Sequence, residues 1–597
     1  MTSARLFLGV EQSATGLKWV DRLAQREANI ALAMAQNHGF PDIVTRVLAG
    51  RGVGLDDAVA FMDPTLKSLM PDPASLTDME MAAARIAKAI AGGEMVAIFG
   101  DYDVDGAASS AILSRFLNHY GIANRIYIPD RIFEGYGPNP IAMQELAQQA
   151  SLIVTVDCGT NSAAAIEAAR AAGADVVVLD HHQLGGALPA AAHAVVNPNR
   201  EDDISGQGHL CAAGVVFLTL VQTLRTMRER GIATGTAAFD LLSLLDLAAL
   251  ATVCDVVPLK GLNRAFVVKG ILVARAQQNL GLAALARVAR IGEPLNAFHF
   301  AYLIGPRINA GGRIGDAGLG ARLLTLDDPN EALRIAEELN RLNQERQAME
   351  TIMLEQAEAE AMTELSAAAS GPAIVVTAND DWHPGIVGLI AARLKEKTRR
   401  PAFAIAFNAN GTGAGSGRSI NGFDLGRLVR TAVEEGLLVK GGGHAMAAGI
   451  TVERGKLGAL RAFFEENAAT MVGELRGNES LEIDGALSAS GATVALHDLM
   501  ERAGPYGSGH PQPVLVLPHH RLVDAREVGS SHVRVTLAGA DGSRINAMAF
   551  RAVGAPLGDF FFKNVGQTIH VAGNLSLNHW NGSTKTEFRI LDAAKAL

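Results

Sequence analysis

The chain has 597 residues, of which 49% are hydrophobic and 19% charged, and its formal net charge at pH 7 is −10. This length predicts about three to five domains, because single hydrophobic cores stop growing near ~250–300 residues, and the composition excludes general disorder. The sequence shows no apolar run long enough to span a membrane and no signal-peptide core, and its three scattered cysteines exclude a disulfide framework, so we expect a cytoplasmic protein.

The negative net charge argues against broad, non-specific binding of nucleic acid, because Lys and Arg contacts to phosphates supply most of that affinity. The charge is unevenly distributed, however. From Glu501 to the end there are 10 Lys and Arg residues against 7 Asp and Glu, together with 6 of the 16 histidines. A basic groove in this last part of the chain is therefore compatible with the sequence.

The N-terminal part of the chain is predicted to be helical. Residues 15–70 carry apolar side chains at helical spacing, among them Trp19, Leu23 and Ile30, and prolines interrupt the pattern near its end. We assign residues 1–75 to a helical lead-in.

A βαβ pattern follows from about residue 80. Short runs that are apolar throughout alternate with segments of helical periodicity, which is typical of a parallel sheet covered on both faces. The predicted strands are Met95–Phe99, Arg125–Ile128, Leu152–Val156 and Asp175–Leu179, and the predicted helices are Ala108–Tyr120, Pro140–Gln149 and Ser162–Ala172. Ligands of such sheets bind beyond the carboxyl ends of the strands.

Helical periodicity over Gly208–Gly270 completes this α/β domain, which we assign to 76–325. Within it, the glycines of Gly305–Arg313 predict a loop. A run without Gly or Pro from Asn330 to Leu365 predicts a helix of roughly 50 Å, since each helical residue adds 1.5 Å. We assign this helix to 326–366 and expect it to space two domains apart.

Two further domains are predicted after the spacer helix. Strand and helix patterns alternate again over 367–470, which predicts a second α/β domain. Short alternating runs over 471–597 predict a small β-barrel of OB type. The predicted fold class is therefore a multidomain α/β protein with a long connecting helix and a C-terminal barrel.

Four clusters rich in Asp and His follow apolar segments. They are Gly100-Asp101-Tyr102-Asp103-Val104-Asp105-Gly106, Val156-Asp157-Cys158-Gly159, Leu179-Asp180-His181-His182 and Thr252-Val253-Cys254-Asp255. One Asp at a strand end is often only a turn or capping residue. Three clusters at successive strand ends of one sheet, with a fourth at a helix end, predict instead a shared metal site.

Carboxylates with a few imidazoles favour Mg²⁺ or Mn²⁺, and the imidazoles shift the preference toward Mn²⁺. Two such ions about 3.5–4 Å apart can hydrolyse a phosphoester with a shared bridging carboxylate. We predict Asp157, alone on the central strand, as the bridge. Asp103 and Asp105, in a predicted loop that ends at Gly106, would reach different ions.

The neighbouring histidines of the third cluster should have different roles. His181 and His182 cannot point the same way if their backbone is extended, because successive side chains alternate. One would bind a metal, while the other would contact the phosphate or act as an acid.

Anion-binding groups are predicted near the metals. Arg131 lies just past a strand end, and Arg307 and Arg313 flank Asn309 in the predicted loop. Arginine suits phosphates, although a single Arg is as often part of a surface salt bridge. Two more Gly-rich segments, predicted as loops, offer backbone N–H groups for an anion. They are Gly413–Ser419, which contains Ser416 and Arg418, and Gly441–Ala445, which contains Gly443 and His444.

The four acidic clusters resemble motifs I to IV of the DHH phosphoesterases, with the fourth continuing as Val256-Val257-Pro258-Leu259. Gly417-Arg418-Ser419 and Gly442-Gly443-His444-Ala445-Met446-Ala447-Ala448-Gly449 resemble the associated DHHA1 substrate domain. Other segments resemble the bacterial single-strand-specific 5′→3′ DNA exonucleases of this family. They are Gly305–Arg313, Asp381-Trp382-His383-Pro384-Gly385 and Asn578-His579-Trp580-Asn581-Gly582. The resemblance spans about residues 15–592, in the family's domain order.

The resemblance implies a single-stranded-DNA-specific exonuclease that releases 5′-mononucleotides in DNA repair, including mismatch repair, and recombination. The implied catalytic residues are Asp101, Asp157, His181 and His182. The implied ligands of two Mn²⁺ or Mg²⁺ ions are Asp103, Asp105, Asp157, His181 and Asp255. The residues implied to hold the 5′ phosphate and first nucleotides are Arg131, Arg307, Asn309, Arg313, Ser416, Arg418, Gly443 and His444. The expected partner is single-stranded DNA, with a single-strand DNA-binding protein and a helicase as candidate protein partners, no membrane, and a monomeric state.

The sequence departs from the family's pattern at three positions. Phe99 stands where many members have a polar residue, often His, which would remove one metal ligand. Cys254 and Gly312 stand where Ala is expected, and we expect both substitutions to be harmless.

Two other functions remain open at this stage. One is a DHH phosphoesterase for short oligonucleotides or small nucleotides, against which the barrel argues, because a groove containing Arg534, Arg544, Arg551, Trp580 and Lys585 would suit a long strand. The other is an inactive binding or scaffold protein of the same descent. Such a protein should have lost metal ligands, yet every acidic position of the four motifs is present.

Overall fold

The computed structural model describes residues 5–131, 133–232, 235–366, 371–580 and 583–596, and of His579 and Trp580 it describes only the backbone. The chain forms two compact units. The larger contains Met70–Val257 and Gly261–Asn478, and the smaller contains the chain up to Leu69, Pro258–Lys260 and the chain from Glu479. Within the described ranges, no helix is both long and apolar enough to cross a membrane.

The smaller unit begins with a short strand and four helices. They are β1 (Lys18–Asp21), α1 (Gln25–His38), α2 (Asp42–Ala49), α3 (Ala58–Met62) and α4 (Leu66–Leu69). Most of this segment is helical, as predicted. Trp19, however, lies on β1, which pairs in parallel with Ser480–Ile483, so the helical periodicity that included Trp19 was wrong at its start.

The larger unit begins with a five-stranded parallel sheet. Its strands are β2 (Val96–Phe99), β3 (Asn124–Tyr127), β4 (Leu152–Val156), β5 (Asp175–Leu179) and β6 (Ala194–Val196), and its first helices are α5 (Met79–Gly92), α6 (Val104–His119), α7 (Pro140–Ala147) and α8 (Ala163–Ala171). The strand order is β3-β2-β4-β5-β6. All four predicted strands are present, and every residue of β2 and β4 is buried, as continuous apolar runs imply. The three-residue β6 is too short to give a pattern.

Helix α6 begins earlier than predicted. Asp103 is its N-cap and accepts hydrogen bonds from the N–H groups of Asp105 and Gly106, so these two residues lie in the first helical turn and the predicted loop is wrong. Gly106 had suggested a turn, but it serves close packing. A Cβ atom there would lie 2.4 Å from the carbonyl oxygen of Asp101.

Further helices complete the first half of the larger unit. They are α9 (Ala212–Glu229), α10 (Leu245–Cys254), α11 (Leu262–Arg275), α12 (Leu280–Val288), a π-helix (His299–Ile304), α13 (Gly305–Ile314), α14 (Leu319–Thr325) and α15 (Pro329–Ser366), with short 3-10 helices at Pro73–Ser75 and Leu241–Leu244. The loop predicted for 305–313 is therefore wrong. Pro306 fits because it lies in the first turn, where its missing N–H costs nothing.

Gly312 of α13, a departure from the family's Ala that we expect to be harmless, lies where this chain has little room for a side chain. A Cβ atom at Gly312 would lie 2.6 Å from the carbonyl oxygen of Tyr102, which belongs to the first acidic cluster. Only glycine lets α13 approach that cluster so closely.

A second sheet of five strands follows α15. Its strands are β7 (Val375–Asn379), β8 (Ala402–Phe407), β9 (Thr412–Arg418), β10 (Lys440–His444) and β11 (Ala447–Glu453), and its helices are α16 (Val387–Thr398), α17 (Leu425–Glu434) and α18 (Leu457–Gly477), with a 3-10 helix at Arg454–Lys456. The order is β10-β11-β9-β8-β7. The two predicted glycine loops are thus mainly the strands β9 and β10. Gly417 permits close packing, since a Cβ atom there would lie 2.3 Å from the ring of Phe403.

Helix α15 spans 38 residues and confirms the predicted spacer helix. Its first half packs against α12, α13 and α14, and its second half packs against α16 and β7. The helix therefore connects the two sheets within one compact unit rather than extending freely between them.

The C-terminal residues of the smaller unit form the predicted barrel. Its strands are β12 (Ser480–Ile483), β13 (Gly485–Ala486), β14 (Leu515–Val528), β15 (His532–Ala538), β16 (Arg544–Ala549), β17 (Thr568–Trp580) and β18 (Ser583–Lys595), and its helices are α19 (Val494–Ala503) and α20 (Pro556–Lys563). The order β14-β15-β16-β18-β17 closes through a pairing of β17 with β14. Val44 and Val47 of α2 share a core with barrel residues such as Val535.

Candidate metal centre and anion-binding site

The parallel sheet brings three of the acidic clusters to one edge. Asp101 follows β2, Asp157 follows β4, and Asp180 with its two histidines follows β5, and these are three adjacent strands of the sheet. Asp255 reaches the same place from the C-cap of α10. The carboxyl ends of parallel strands meet at one edge, which is why sequence order alone located these residues.

The N-terminus of α6 supplies two more carboxylates. Asp103 caps the helix with one oxygen. Asp105 is fully buried, and its two oxygens accept hydrogen bonds from the N–H groups of Ala212 (2.7 Å) and Ala213 (2.8 Å) at the start of α9. Free N–H groups at helix starts stabilise a carboxylate, so both side chains are held in a fixed orientation.

His181 lies at the centre of the carboxylates. Its Nε2 is 3.3 Å from Asp157 Oδ1, 3.6 Å from Asp255 Oδ2 and 3.7 Å from Asp105 Oδ2. Burial lowers the pKa of His181, which favours the neutral form that can bind a metal.

The ligand atoms form overlapping groups whose members lie within 4.8 Å of one another. The groups are Asp105, His181 and Asp255; Asp101, Asp103 and Asp157; and Asp157, His181 and His182. Asp157 and His181 each belong to two of them, so both lie where the groups overlap. The bridging role of Asp157 stays a prediction.

Several of these atoms are buried without any hydrogen-bond partner in the part of the chain that the structure describes. They are Asp101 Oδ1, Asp157 Oδ1, Asp255 Oδ2 and His181 Nε2. Burial, followed by the nearby charge of Asp105, raises the pKa of Asp157 and of Asp255, and burial with Asp103 raises that of Asp101. Buried carboxylates facing one another are unfavourable unless a cation compensates them. The donor set of carboxylate oxygens and imidazole fits Mn²⁺ or Mg²⁺.

Asp180 differs from the other aspartates of the site. Its oxygens accept hydrogen bonds from the N–H groups of Thr160, His181 and His182, and from Nδ1 of His182 at 2.8 Å. Although burial acts in the opposite direction, the hydrogen bonds to His182 and Thr160 hold the pKa of Asp180 below its usual range. Asp180 therefore orients His182 and is not one of the metal-facing carboxylates.

His182 is separated from the metal-facing atoms by its partners. Burial alone would lower its pKa, but the hydrogen bond to Asp180 raises it above the ordinary value. The hydroxyl of Tyr136 lies 3.1 Å from each ring nitrogen of His182 and donates to the carbonyl oxygen of Asp157. Sequence reasoning missed Tyr136, because one aromatic residue in a loop carries no pattern.

Phe99 lies in the hydrophobic core. Its side chain is fully buried among residues such as Met143 and Cys158, and its ring is 5.3 Å from that of Tyr127. A polar side chain could replace it there only with a partner.

Arginines gather beside the metal centre on α13 and the second sheet. Arg313 donates to the carbonyl oxygen of Gly385 at 3.0 Å, and burial together with the charges of Arg131, Arg346 and Arg418 lowers its pKa to about 10. Burial and Arg131 also lower the pKa of Arg418. Buried like charges near one another favour a site for an anion. Arg346 of α15 was not predicted, since a charged residue on a helix usually faces solvent.

Arg131 and Arg418 are also held by neighbouring side chains. The guanidinium of Arg131 lies over the ring of Tyr102, 5.0 Å from its centre. Arg418 donates to the hydroxyl of Ser416 at 2.8 Å and to the carbonyl oxygen of Gly417 at 2.9 Å. Both predicted residues of β9 thus lie together.

Arg307 and Asn309 lie on α13 in different surroundings. Arg307 donates to Asn340 of α15 at 3.0 Å and to a carbonyl oxygen of the preceding turn, and burial lowers its pKa. The half-buried Asn309 side chain has no hydrogen bond to any residue within the described ranges. The structure thus leaves Asn309 available to a ligand and gives Arg307 a structural contact.

Gly443 and His444 end the edge strand β10. His444 is exposed, and Gly443 has φ +150, with the carbonyl oxygen of Ala447 only 2.3 Å from where a Cβ would lie. Among the strands that the structure describes, β10 pairs with β11 alone, so its outer N–H groups are not used by the sheet. This edge, rather than a flexible loop, offers the backbone donors.

The outer face of the barrel carries a row of arginines. Arg526, Arg534 and Arg589 lie on one cross-strand row, because Arg526 pairs with Arg534, Arg534 with Met548, and Met548 with Arg589. We call these three residues the arginine row, and none of them has an ion pair among the described residues. Next to this row lies Phe550, a residue that is 51% accessible.

The aromatic ring of this face is in contact with a member of the arginine row. The guanidinium of Arg589 lies 5.2 Å from the centre of the Phe550 ring, and the His532 ring lies 5.1 Å from it. Of the groove predicted from the sequence, Arg534, Arg544 and Lys585 lie on barrel strands, and Arg551 lies two residues after the end of β16. The ring of Trp580 lies outside the described side chains. Exposed rings flanked by arginines suit single-stranded nucleic acid.

Comparisons with known proteins agree with this architecture. Three family models match: the N-terminal domain of the DHH family over residues 95–252, the DHHA1 domain over 370–470 and the RecJ OB domain over 483–592. The chain is 34% identical to the single-stranded-DNA-specific exonuclease RecJ of Escherichia coli, over 92% of this chain and 95% of that protein. It is 31% identical to RecJ of Bacillus subtilis, over 97% of this chain and 71% of that protein.

The fold is also similar to solved structures. The crystal structure of RecJ from Thermus thermophilus in complex with Mn²⁺ matches with a TM-score of 0.77 and 29% identity, over 97% of this chain and 79% of that chain. The same protein in complex with Mg²⁺ matches with a TM-score of 0.72 and 28% identity, over 97% of this chain and 78% of that chain.

Proposed function

The chain belongs to the RecJ exonucleases of the DHH phosphoesterase family, and we propose that it degrades single-stranded DNA from the 5′ end by metal-dependent hydrolysis. The observation that carries this function is the set of buried carboxylate and imidazole atoms without partners at the sheet edge. The products would be 5′-mononucleotides, and the reaction would serve DNA repair, including mismatch repair, and recombination.

The metal-facing residues divide between two sites. Asp105, His181 and Asp255 would hold one Mn²⁺ or Mg²⁺ ion, Asp101 and Asp103 would hold or face the other, and Asp157 would be shared. When bound, the ions supply an activated water and neutralise charge on the phosphoryl group.

The remaining residues of the centre would orient neighbouring side chains or donate a proton. Asp180 holds Nδ1 of His182, so the ring keeps one orientation and carries positive charge more readily than a free imidazole. His182 would therefore donate a hydrogen bond or a proton to the departing oxygen. The N–H groups of α9 fix Asp105 and favour its ionised form, against the burial that raises its pKa.

The arginine cluster would bind the 5′ phosphate. Arg131, Arg313 and Arg418 lie close enough to influence one another's charge, and they come from three different segments of the larger unit. Asn309, Ser416, Gly443 and His444 would add neutral donors around the first nucleotides. Arg307 would instead support α13 through Asn340.

The arginine row and Phe550 would add contacts to single-stranded DNA. Their combination of charge and an exposed ring suits a backbone contact with base stacking and needs no particular sequence. A DHH enzyme for short oligonucleotides has no use for such a face, which is why we favour the exonuclease. We further propose a cytoplasmic monomer that works with a single-strand DNA-binding protein and a helicase.

Digestion of end-blocked DNA tests the function. Single strands blocked at the 5′ or the 3′ end should be compared with Mn²⁺, using duplex DNA of the same sequence as a control. We expect mononucleotides from the 3′-blocked strand only. Cleavage of dinucleotides without degradation of long strands would instead support the short-substrate enzyme.

A further inference from the structure

Tyr136, in the loop between β3 and α7, lies beside the metal centre without a role in the scheme above. The residue is about half exposed (53%), yet its hydroxyl contacts buried groups. The hydroxyl donates to the carbonyl oxygen of Asp157 at 3.1 Å and lies 3.1 Å from both ring nitrogens of His182. One hydroxyl thus contacts both the shared metal-facing residue and the proposed proton donor.

The hydrogen-bond inventory settles the direction of these contacts. Because the hydroxyl proton goes to Asp157, the oxygen can only accept from His182. Nδ1 of His182 is 2.8 Å from Asp180 and donates there, so Nε2 carries the proton that can pass to the departing oxygen, and the Tyr136 oxygen accepts from Nε2 until substrate takes its place. Partners on both sides fix the tilt and the rotation of the imidazole ring.

The contact with Asp157 has its own consequence. Asp157 has φ +61, a backbone conformation that residues other than glycine rarely adopt. Its N–H donates to the carbonyl oxygen of Leu179, and its own carbonyl oxygen is held by Tyr136. The side chain of Asp157 therefore points toward the metal-facing atoms from a backbone that is fixed on both sides.

We infer that Tyr136 is a positioning residue for phosphodiester hydrolysis, whose hydroxyl orients His182 and the backbone of Asp157. This inference rests on the proposed function. The ring packs edge-to-face with Tyr102 at 6.3 Å, and phenylalanine preserves that contact. Tyr136→Phe therefore removes only the hydroxyl.

The matched control is Tyr127→Phe, because the hydroxyl of Tyr127 donates to Glu134 of the same loop and touches no metal-facing residue that the structure describes. On 5′-phosphorylated single strands, we expect Tyr136→Phe to lower kcat about 10-fold with KM within about twofold, since the hydroxyl acts on the proton donor and not on the substrate. Tyr127→Phe should leave both constants unchanged. A raised KM with an unchanged kcat would overturn the inference.

A double-mutant cycle tests whether Tyr136 acts through His182. In a His182→Ala background, Tyr136→Phe should change kcat by less than about twofold, because the group that it orients is gone. The same 10-fold loss in both backgrounds would refute the inference.

A spectroscopic measurement gives a readout that does not depend on activity. In the Mg²⁺-loaded protein with ¹⁵N-labelled histidines, the His182 ring signal can be assigned by its loss in His182→Ala. It should shift in Tyr136→Phe and not in Tyr127→Phe. An unchanged His182 signal would refute the contact even in an active nuclease, and a wild-type protein that leaves single strands intact would refute the proposed function instead.

Discussion

The metal centre has carboxylates without a Lys or Arg partner, and the outer face of the barrel has arginines without a carboxylate partner, in the described part of the chain, but the two regions have opposite surroundings. The carboxylates of the centre are buried and crowded, so their charge destabilises the fold unless a cation is bound. The arginine row is largely exposed to water, which already solvates it.

The difference indicates what each region can reveal about its ligand. A buried set of ligand atoms restricts the ligand by size, charge and donor type, so the centre itself indicates a small hard cation. An exposed row of arginines accepts any polyanion, and only the adjacent Phe550 ring favours a nucleic acid with free bases. Substitution of one residue at the metal centre should therefore abolish activity. Substitutions in the arginine row should weaken DNA binding only gradually.

The largest expected effect is that of Asp157→Asn at the metal centre. Activity with Mn²⁺ should fall at least about 10³-fold, because the proposed shared ligand is lost. The metal-free variant should nevertheless be more stable by about 1–3 kcal/mol, since a buried carboxylate that faces other carboxylates has been neutralised. Activity assays and thermal unfolding in chelator test both expectations.

Asp56→Asn, at an exposed carboxylate, is the control for Asp157→Asn. It should change neither the activity with Mn²⁺ nor the stability of the metal-free protein. Residual wild-type activity in Asp157→Asn would contradict the metal assignment. A lower unfolding temperature in chelator would contradict the view that the centre is strained without its cation.

Arg418→Ala should have an intermediate effect, because it removes one of several arginines around the proposed phosphate site. We expect kcat/KM on 5′-phosphorylated strands to fall about 30-fold, corresponding to about 2 kcal/mol for charge-assisted hydrogen bonds. On strands with a 5′ hydroxyl, kcat/KM should fall much less. Arg427→Ala, at an exposed position on α17, is the control. An equal fall in kcat/KM of Arg418→Ala on both kinds of strand would contradict the assignment of Arg418 to the phosphate site.

Changes on the barrel should be milder and depend on strand length. Arg534→Ala combined with Arg589→Ala should weaken binding of long single strands about 10-fold and reduce the salt slope of log K by roughly 1.4, at about 0.7 per phosphate contact. Cleavage of very short strands should be unaffected. Lys563→Ala with Arg502→Ala removes the same charge elsewhere in the smaller unit, and an identical effect would show that net charge alone matters.

Deleting the barrel would be a less informative experiment than these point changes. Val44 and Val47 of α2 share their core with barrel strands, and β1 pairs with β12. A truncation at residue 480 would expose these apolar groups and confuse loss of binding with loss of folding.

The smallest effect concerns pH, where the two regions should respond in opposite directions. Burial, with His519 and His520 nearby, lowers the pKa of His570 in the barrel to about 4. The unfolded chain then takes up the proton first, so stability is complete above about pH 6.5 and falls as the pH drops toward 4. The raised pKa values of the metal centre have the opposite sign, and without metal they favour low pH.

His570→Asn tests the barrel half of this contrast. The asparagine oxygen can replace Nδ1, which accepts a hydrogen bond from the N–H of His519 at 3.0 Å. Urea unfolding at pH 7.5 and pH 5 should show that the variant loses about 1–2 kcal/mol less on acidification than the wild type. Equal losses would mean that His570 does not control the acid sensitivity.

The positions of the metal-facing residues were predictable because they follow from strand order. Aspartates placed after apolar runs of a parallel sheet must meet at its carboxyl edge, so Asp101, Asp157 and His181 could be brought together without coordinates. Asp255 was found because it ends a strongly apolar helix.

The glycine-rich segments were predicted wrongly for one physical reason. We interpreted them as loops, yet α13 and β9 are regular, and their glycines make room for a neighbour. The Tyr102 carbonyl oxygen approaches Gly312, and the Phe403 ring covers Gly417. A sequence shows that glycine is present, but not whether its freedom or its small size is used.

The sequence by itself determined the family, the parallel sheet, the barrel and the chemical type of the metal centre, because these depend on periodicity and on residue types at strand ends. Only the tertiary structure decided which side chains contact one another. It separated Asp180 from the metal-facing aspartates, gave Arg307 a structural contact, added Arg346 to the arginine cluster, and placed Tyr136 between Asp157 and His182. These relations depend on distances of about 3 Å between segments far apart in the chain, which no local pattern encodes.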